Sequence, residues 1–91
     1  MDNDRIAAYQ ILKDIEENEA YSNIAINAYF KKHEVNNQAF IREIVYGVLR
    51  NQILIDYHIN KHVREPQKMK TPERIILRMG FYQLAKMNSV T

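Results

Sequence analysis

Cysteine is absent from the 91 residues, which excludes disulfides, thiol redox chemistry and thiolate zinc sites. Glycine and proline occur only twice each. Both glycines, Gly47 and Gly80, lie inside apolar helical patterns rather than in turn clusters. A glycine-rich phosphate loop needs several glycines between a strand and a helix, so that class is excluded too. No apolar run approaches the roughly 20 residues of a membrane span. The opening Met1-Asp2-Asn3-Asp4-Arg5 is acidic and lacks the apolar segment of a signal peptide, so a cytoplasmic location is expected.

What remains is a chain that is 46% hydrophobic, enough for the core of one small domain and too short for two. The stretch from Ala39 to Asn51 organises it. Apolar pairs at 40/41, 44/45 and 48/49 recur four apart, forming one wide helical stripe. Gly47 interrupts that stripe at a cost of about 1 kcal/mol relative to alanine, which predicts a second helix crossing closely there.

Four further helices are expected around it. The first runs from Asp4 to about Asn18 through Ala8, Ile11, Leu12 and Ile15, with Asp2, Asn3 and Asp4 suited to its N-terminus. Its acidic run Asp14, Glu16, Glu17 and Glu19 is expected to be a solvated face. Ser22 is the predicted cap of the second helix, which continues through Ile24, Ala25, Ala28 and Tyr29 to about Lys32. Tyr21 ahead of it should staple onto Ile26. Asn36 should cap the central helix, with Val35 facing Phe40. A break near Asn51 precedes a fourth helix carrying Ile55, Ile59 and Val63. After the loop 65–70, Thr71 and Pro72 open a last helix to about Met87, with Ile75, Ile76, Met79, Leu84 and Met87 inward. Gly80 then suggests a glycine-on-glycine crossing with Gly47.

Charge is distributed unevenly. Through Asn51 there are six Lys/Arg against eight Asp/Glu, and from Gln52 onward seven against three. Lys61, Arg64, Lys68, Lys70, Arg74 and Arg78 form the candidate phosphate-binding patch. Tyr57, Phe81 and Tyr82 are candidate stacking surfaces, Phe81 more fitting as core. Arg74 and Arg78 are four apart on one helix, an arrangement that is mildly repulsive without a partner. His58 and His62 share a helix face. The residues between them supply no glutamate, and Lys61 opposes a cation, so no metal site is expected.

The order of several segments resembles the NusB-like RNA-binding domain. They are Tyr21-Ser22-Asn23-Ile24-Ala25, Phe40 with Tyr46-Gly47-Val48-Leu49-Arg50-Asn51, Asp56 with Ile59, and Arg74-Ile75-Ile76-Leu77-Arg78-Met79-Gly80-Phe81-Tyr82-Gln83-Leu84. Met87-Asn88-Ser89-Val90 closes the match. The Tyr-Gly-Val-Leu-Arg and Gly-Phe-Tyr-Gln-Leu forms look closer to the N-terminal domain of RsmB/Sun type small-subunit rRNA cytosine-C5 methyltransferases than to the antitermination factor NusB. The latter commonly has an arginine-rich N-terminus and a tryptophan before the late helix; this chain has a lone Arg5 there and no tryptophan.

The resemblance implies an all-α bundle of about five helices whose task is to bind ribosomal RNA for an attached methyltransferase domain. Gly47, Arg50 and Gly80 would be structural. It also implies further helices beyond Thr91, so the chain reads as an incomplete domain and a homodimer covering the open surface is expected. Such enzymes use a cysteine nucleophile and an S-adenosylmethionine site on a separate α/β domain. Without cysteine, this chain is not expected to catalyse the transfer. The alternative is a NusB-type antitermination or protein–protein module that pairs with ribosomal protein S10.

Overall fold

Helical periodicity becomes five α-helices in a computed structural model that describes residues 3–87. They are α1 (Asn3–Asn18), α2 (Ser22–Lys32), α3 (Gln38–Arg50), α4 (Gln52–His62) and α5 (Thr71–Tyr82). A 3-10 turn at Pro66–Lys68 joins α4 to α5, and a π turn at Gln83–Met87 follows α5. No strand occurs among the described residues, so the fold is all-α as expected. Helix α1 packs on α2, α3 and α5, and α5 also packs on α3 and α4. Met87 falls in the π turn, while Asn88, Ser89 and Val90 of the closing match lie outside the described residues, as does Asp2.

One inner stripe of each helix makes the core. Ala7, Ala8, Ile11 and Leu12 come from α1, and Ile41, Ile44, Val45 and Val48 from α3. Ala25 and Ile26, Ile55 and Ile59, and then Ile75, Met79 and Tyr82 complete it. These positions repeat at three- and four-residue intervals, the spacing that aligns side chains on one helical face. Ile76 and Leu84, expected inward, are instead exposed. On α5 the buried face is set by Ile75, Arg78, Met79 and Tyr82, which turns Ile76 about 100° away. Leu84 lies in the π turn, whose wider winding breaks the helical register.

Helix starts depart from expectation by one residue. Tyr21 holds the extended cap conformation of α2, and its side chain is 77% exposed, so the expected staple onto Ile26 does not form. Asn37, not Asn36, caps α3: its side-chain oxygen accepts the Phe40 N–H at 3.0 Å. One residue earlier, the buried Asp4 carboxylate accepts the Asn36 backbone N–H at 2.9 Å, which ties this entry to α1. Lys70 is the cap residue of α5, and Glu73 accepts its N–H at 2.9 Å. The lysine ammonium has no acceptor to offer in return. The break at Asn51 is present as predicted. There the Asn51 side-chain amide donates to the Gly47 carbonyl at 2.8 Å, closing α3 as α4 begins.

The crossing of α3 and α5 is real, but it is not glycine on glycine. The Tyr82 ring occupies the space that a Gly47 side chain would need, and its hydroxyl donates to the Glu43 carboxylate one turn earlier. Around Gly80 an added methyl would meet nothing within 4 Å. Gly47 is thus a socket for an aromatic ring, while Gly80 is a helical glycine without a steric demand. Gly47→Ala should cost about 1–3 kcal/mol through overpacking, since the ring must leave its place. Gly80→Ala should instead stabilise by about 0.5–1 kcal/mol. Urea unfolding of the two variants checks this, and similar midpoints for both would contradict it.

Candidate functional site

The six basic residues of the expected patch separate into two groups. Lys61, Arg64, Lys68 and Lys70 are exposed at the end of α4, in the 3-10 turn and at the start of α5. All four lie on or beside the short connection between α4 and α5, two helices that pack on one another. Lys68 pairs with Glu65 at 3.1 Å, and both side chains remain largely in solvent. Such an exposed pair contributes little and yields readily to a competing anion.

Arg78 belongs to the other group. Its side chain is only 8% exposed. Nε and Nη2 donate to the two Asp56 carboxylate oxygens, each at 2.8 Å, and Nη1 donates to Glu16 at 3.2 Å. Arg74 joins them, donating to Asp56 at 3.4 Å and to the Pro66 carbonyl at 3.2 Å. The like charges four apart on α5 therefore find their partner inside the protein. Arg78 cannot offer its guanidinium to a phosphate without surrendering that fork, and Arg74 is half-buried beside it. Glu16, expected on a solvated acidic face, is one of the anchors.

Burial opposes charge at both ends of this cluster and is outweighed at both. Desolvation would push the Asp56 carboxyl up, yet the Arg78 bonds, then its charge and that of Arg74, hold it below the usual carboxylate range. Arg78 is likewise lowered by burial but raised on balance by Asp56 and Glu16. A carboxylate whose folded pKa is depressed stabilises the fold above its unfolded value, near 4, and loses that contribution as pH falls through the folded value. Asp56→Asn leaves a buried arginine with one exposed partner. It should cost about 3 kcal/mol at neutral pH and flatten the loss of stability on acidification below about pH 4. Urea midpoints measured from pH 7 down to pH 3 test both effects, and a parallel pH profile in the variant would count against the assignment.

The aromatic candidates also divide. Tyr57 is 59% exposed, with the Lys61 ammonium 5.8 Å from its ring centroid. Phe81 is half-buried against the core and stacks on His58 at 5.2 Å. Tyr82 is buried and is no stacking surface. His58 is occupied by these ring contacts, and no cluster of three metal-ligating side chains exists among the described residues. Among the described residues there is no strand, and both glycines are helical.

Arg50, expected to be structural, lies against the Tyr82 hydroxyl, where its charge opposes the upward push that Glu43 and burial give the phenol. No helix among the described residues is long and apolar enough to cross a membrane.

Comparison with known proteins fits this architecture. The NusB family model matches residues 2–91. The chain is 33% identical over 88 residues to a protein of Bacillus subtilis named as a probable ribosomal RNA small subunit methyltransferase B, covering 94% of this chain and 20% of that protein. A protein of the same name from Synechocystis is 34% identical over 89 residues, again at 94% and 20% coverage. A putative methyltransferase of Mycobacterium tuberculosis is 30% identical over the same span. The chain thus spans about a fifth of the length of these curated relatives. No solved structure matches it. With five helices, a match over nearly its whole length and these relatives, the chain belongs to the NusB family.

Proposed function

We propose that this domain binds ribosomal RNA as the substrate-recognition unit of a small-subunit rRNA cytosine-C5 methyltransferase whose S-adenosylmethionine-dependent catalytic domain is a separate unit. The observation that carries this reading is the exposed group Lys61, Arg64, Lys68 and Lys70 around the α4–α5 connection. Two of the relatives, named as probable ribosomal RNA small subunit methyltransferases, support it. Contacts of this kind go to phosphates, and selectivity comes from shape and from unpaired bases. Tyr57, exposed beside Lys61, is the stacking surface nearest those cations.

A protein-binding reading is favoured by a different surface. Ile53 is 91% exposed and Leu84 is 72% exposed. Leu54, also exposed, lines a small crevice with Phe81 and Ala85. A second copy of the chain or ribosomal protein S10 would sit there. Retention of S10 in a pull-down, or a mass that rises with concentration, would speak for that surface.

For the RNA reading, the triple variant Lys61→Ala, Lys68→Ala, Lys70→Ala should bind small-subunit rRNA fragments more weakly. The slope of log affinity against log salt should fall by about 2, since each lost phosphate contact on a single strand removes roughly 0.7. Unchanged affinity and slope would refute the patch.

A further inference from the structure

We infer that the outer face of α3 holds one unpaired nucleotide, with Tyr46 as its stacking platform between Arg42 and Arg50; this rests on the proposed RNA binding and specifies a second place for it. Ala39, Arg42, Glu43, Tyr46 and Arg50 line an open concavity of ≈ 290 Å³. Their spacing places them along one stripe of the helix, turned away from the buried stripe Ile41, Ile44, Val45 and Val48. Sites for drug-sized ligands run from roughly 300 to 1,000 Å³, so the concavity is on the scale of a single base.

Its parts are preset. Tyr46 is half-buried, one side packed on the core, so the ring is held while the rest lines the concavity. The Arg42 guanidinium sits 5.0 Å from the Phe30 ring centroid, which orders it beside the platform. Arg50 is placed by the Tyr82 phenol on the other side. The Glu43 carboxylate already accepts the Tyr82 hydroxyl, so part of its charge is answered before any ligand arrives. Two guanidiniums against one engaged carboxylate leave the concavity positive.

Arg42 and Arg50 lie eight residues apart, about 12 Å along the helix axis. A strand crossing Tyr46 would therefore meet one cation before the stacked base and one after it. Arginine suits both roles, since its planar fork pairs with phosphate and stacks on rings. A paired base could not reach the platform, because stacking requires the base to be splayed out of its helix. The ligand class is accordingly single-stranded RNA. The small side chain of Ala39 keeps one wall of the concavity open.

The chain contains no tryptophan, so Tyr46→Trp installs a unique fluorescent reporter in the platform. With a single-stranded RNA oligonucleotide its emission should be quenched, and with the same sequence in a duplex it should not. Arg42→Ala and, separately, Ala39→Leu should each weaken single-strand binding about tenfold, with thermal midpoints confirming the fold. If the unaltered protein binds the oligonucleotide and both variants bind it equally well, the α3 site is overturned while the exposed lysine patch still stands. Quenching by the duplex alone also overturns the site. Failure of the unaltered protein to bind any RNA would overturn this site and the proposed function together.

Discussion

A buried guanidinium is the constraint around which the other helices arrange themselves. Arginine stays charged at any accessible pH, so Arg78 can be enclosed only where fixed acceptors meet its fork. Asp56 on α4 supplies two oxygens and Glu16 on α1 a third. That requirement sets how α5 is rotated and how far α1 and α4 stand from it. Asp56 then also receives Arg74, which holds the Pro66 carbonyl and so the turn between α4 and α5. With Arg78 facing inward, Ile76 and Leu77 are carried to the outside at 47% and 42% exposure. An ion pair of this kind is weak evidence for net stability, because a well-packed apolar replacement can do as well. Its value lies in geometry: a rotation of α5 that keeps Arg78 buried but away from Asp56 leaves a charge without its partner.

Tyr82 imposes the second constraint. Its ring fits only over a residue without a side chain, and its hydroxyl needs the Glu43 carboxylate on the same helix. These two demands fix where α5 crosses α3. Farther along, the Arg5 guanidinium donates to the Gln83 side chain at 2.8 Å and lies over the Phe40 ring. The π turn after α5 is thereby tied back to α1 and α3. The central helix is thus held through a glycine, a carboxylate and an aromatic ring, all from residues of a single face region.

Much of the fold was legible in the chain because apolar spacing and polar breaks act locally. The five helices, the interruption at Asn51 and the inward positions of α1, α3 and α4 follow from that spacing. Errors arose where a distant residue decides the outcome. Asn36 and Asn37 are alike as caps in the sequence, and the tie between the Asn36 backbone N–H and Asp4 spans 32 residues. Gly47 and Gly80 look alike until Tyr82 chooses one of them. The clearest missed signal is Arg78 itself. Its place between Ile75, Met79 and Tyr82 follows core spacing, and Asp56 is one of only three acidic residues after Asn51. Read together, those two facts mark an internal pair rather than a solvent-facing cation.

The partition of cations also shapes what binding can be. Charges locked in the interior do not release counterions, so in the proposed RNA binding the electrostatic part would come from surface cations, the group Lys61, Arg64, Lys68 and Lys70 among them. Those four as phosphate contacts would by themselves contribute a slope of about −3 on a single strand. Phosphate contacts position a strand but do not choose a sequence. Discrimination must therefore come from groups that accept an unpaired base. The candidates are Tyr57, with the Lys61 ammonium beside its ring, and Tyr46, the proposed platform between Arg42 and Arg50. Under the proposed RNA binding, the exposed cations would set affinity and register while an aromatic platform would set where the strand is read, because a base can stack there only once it has left its helix.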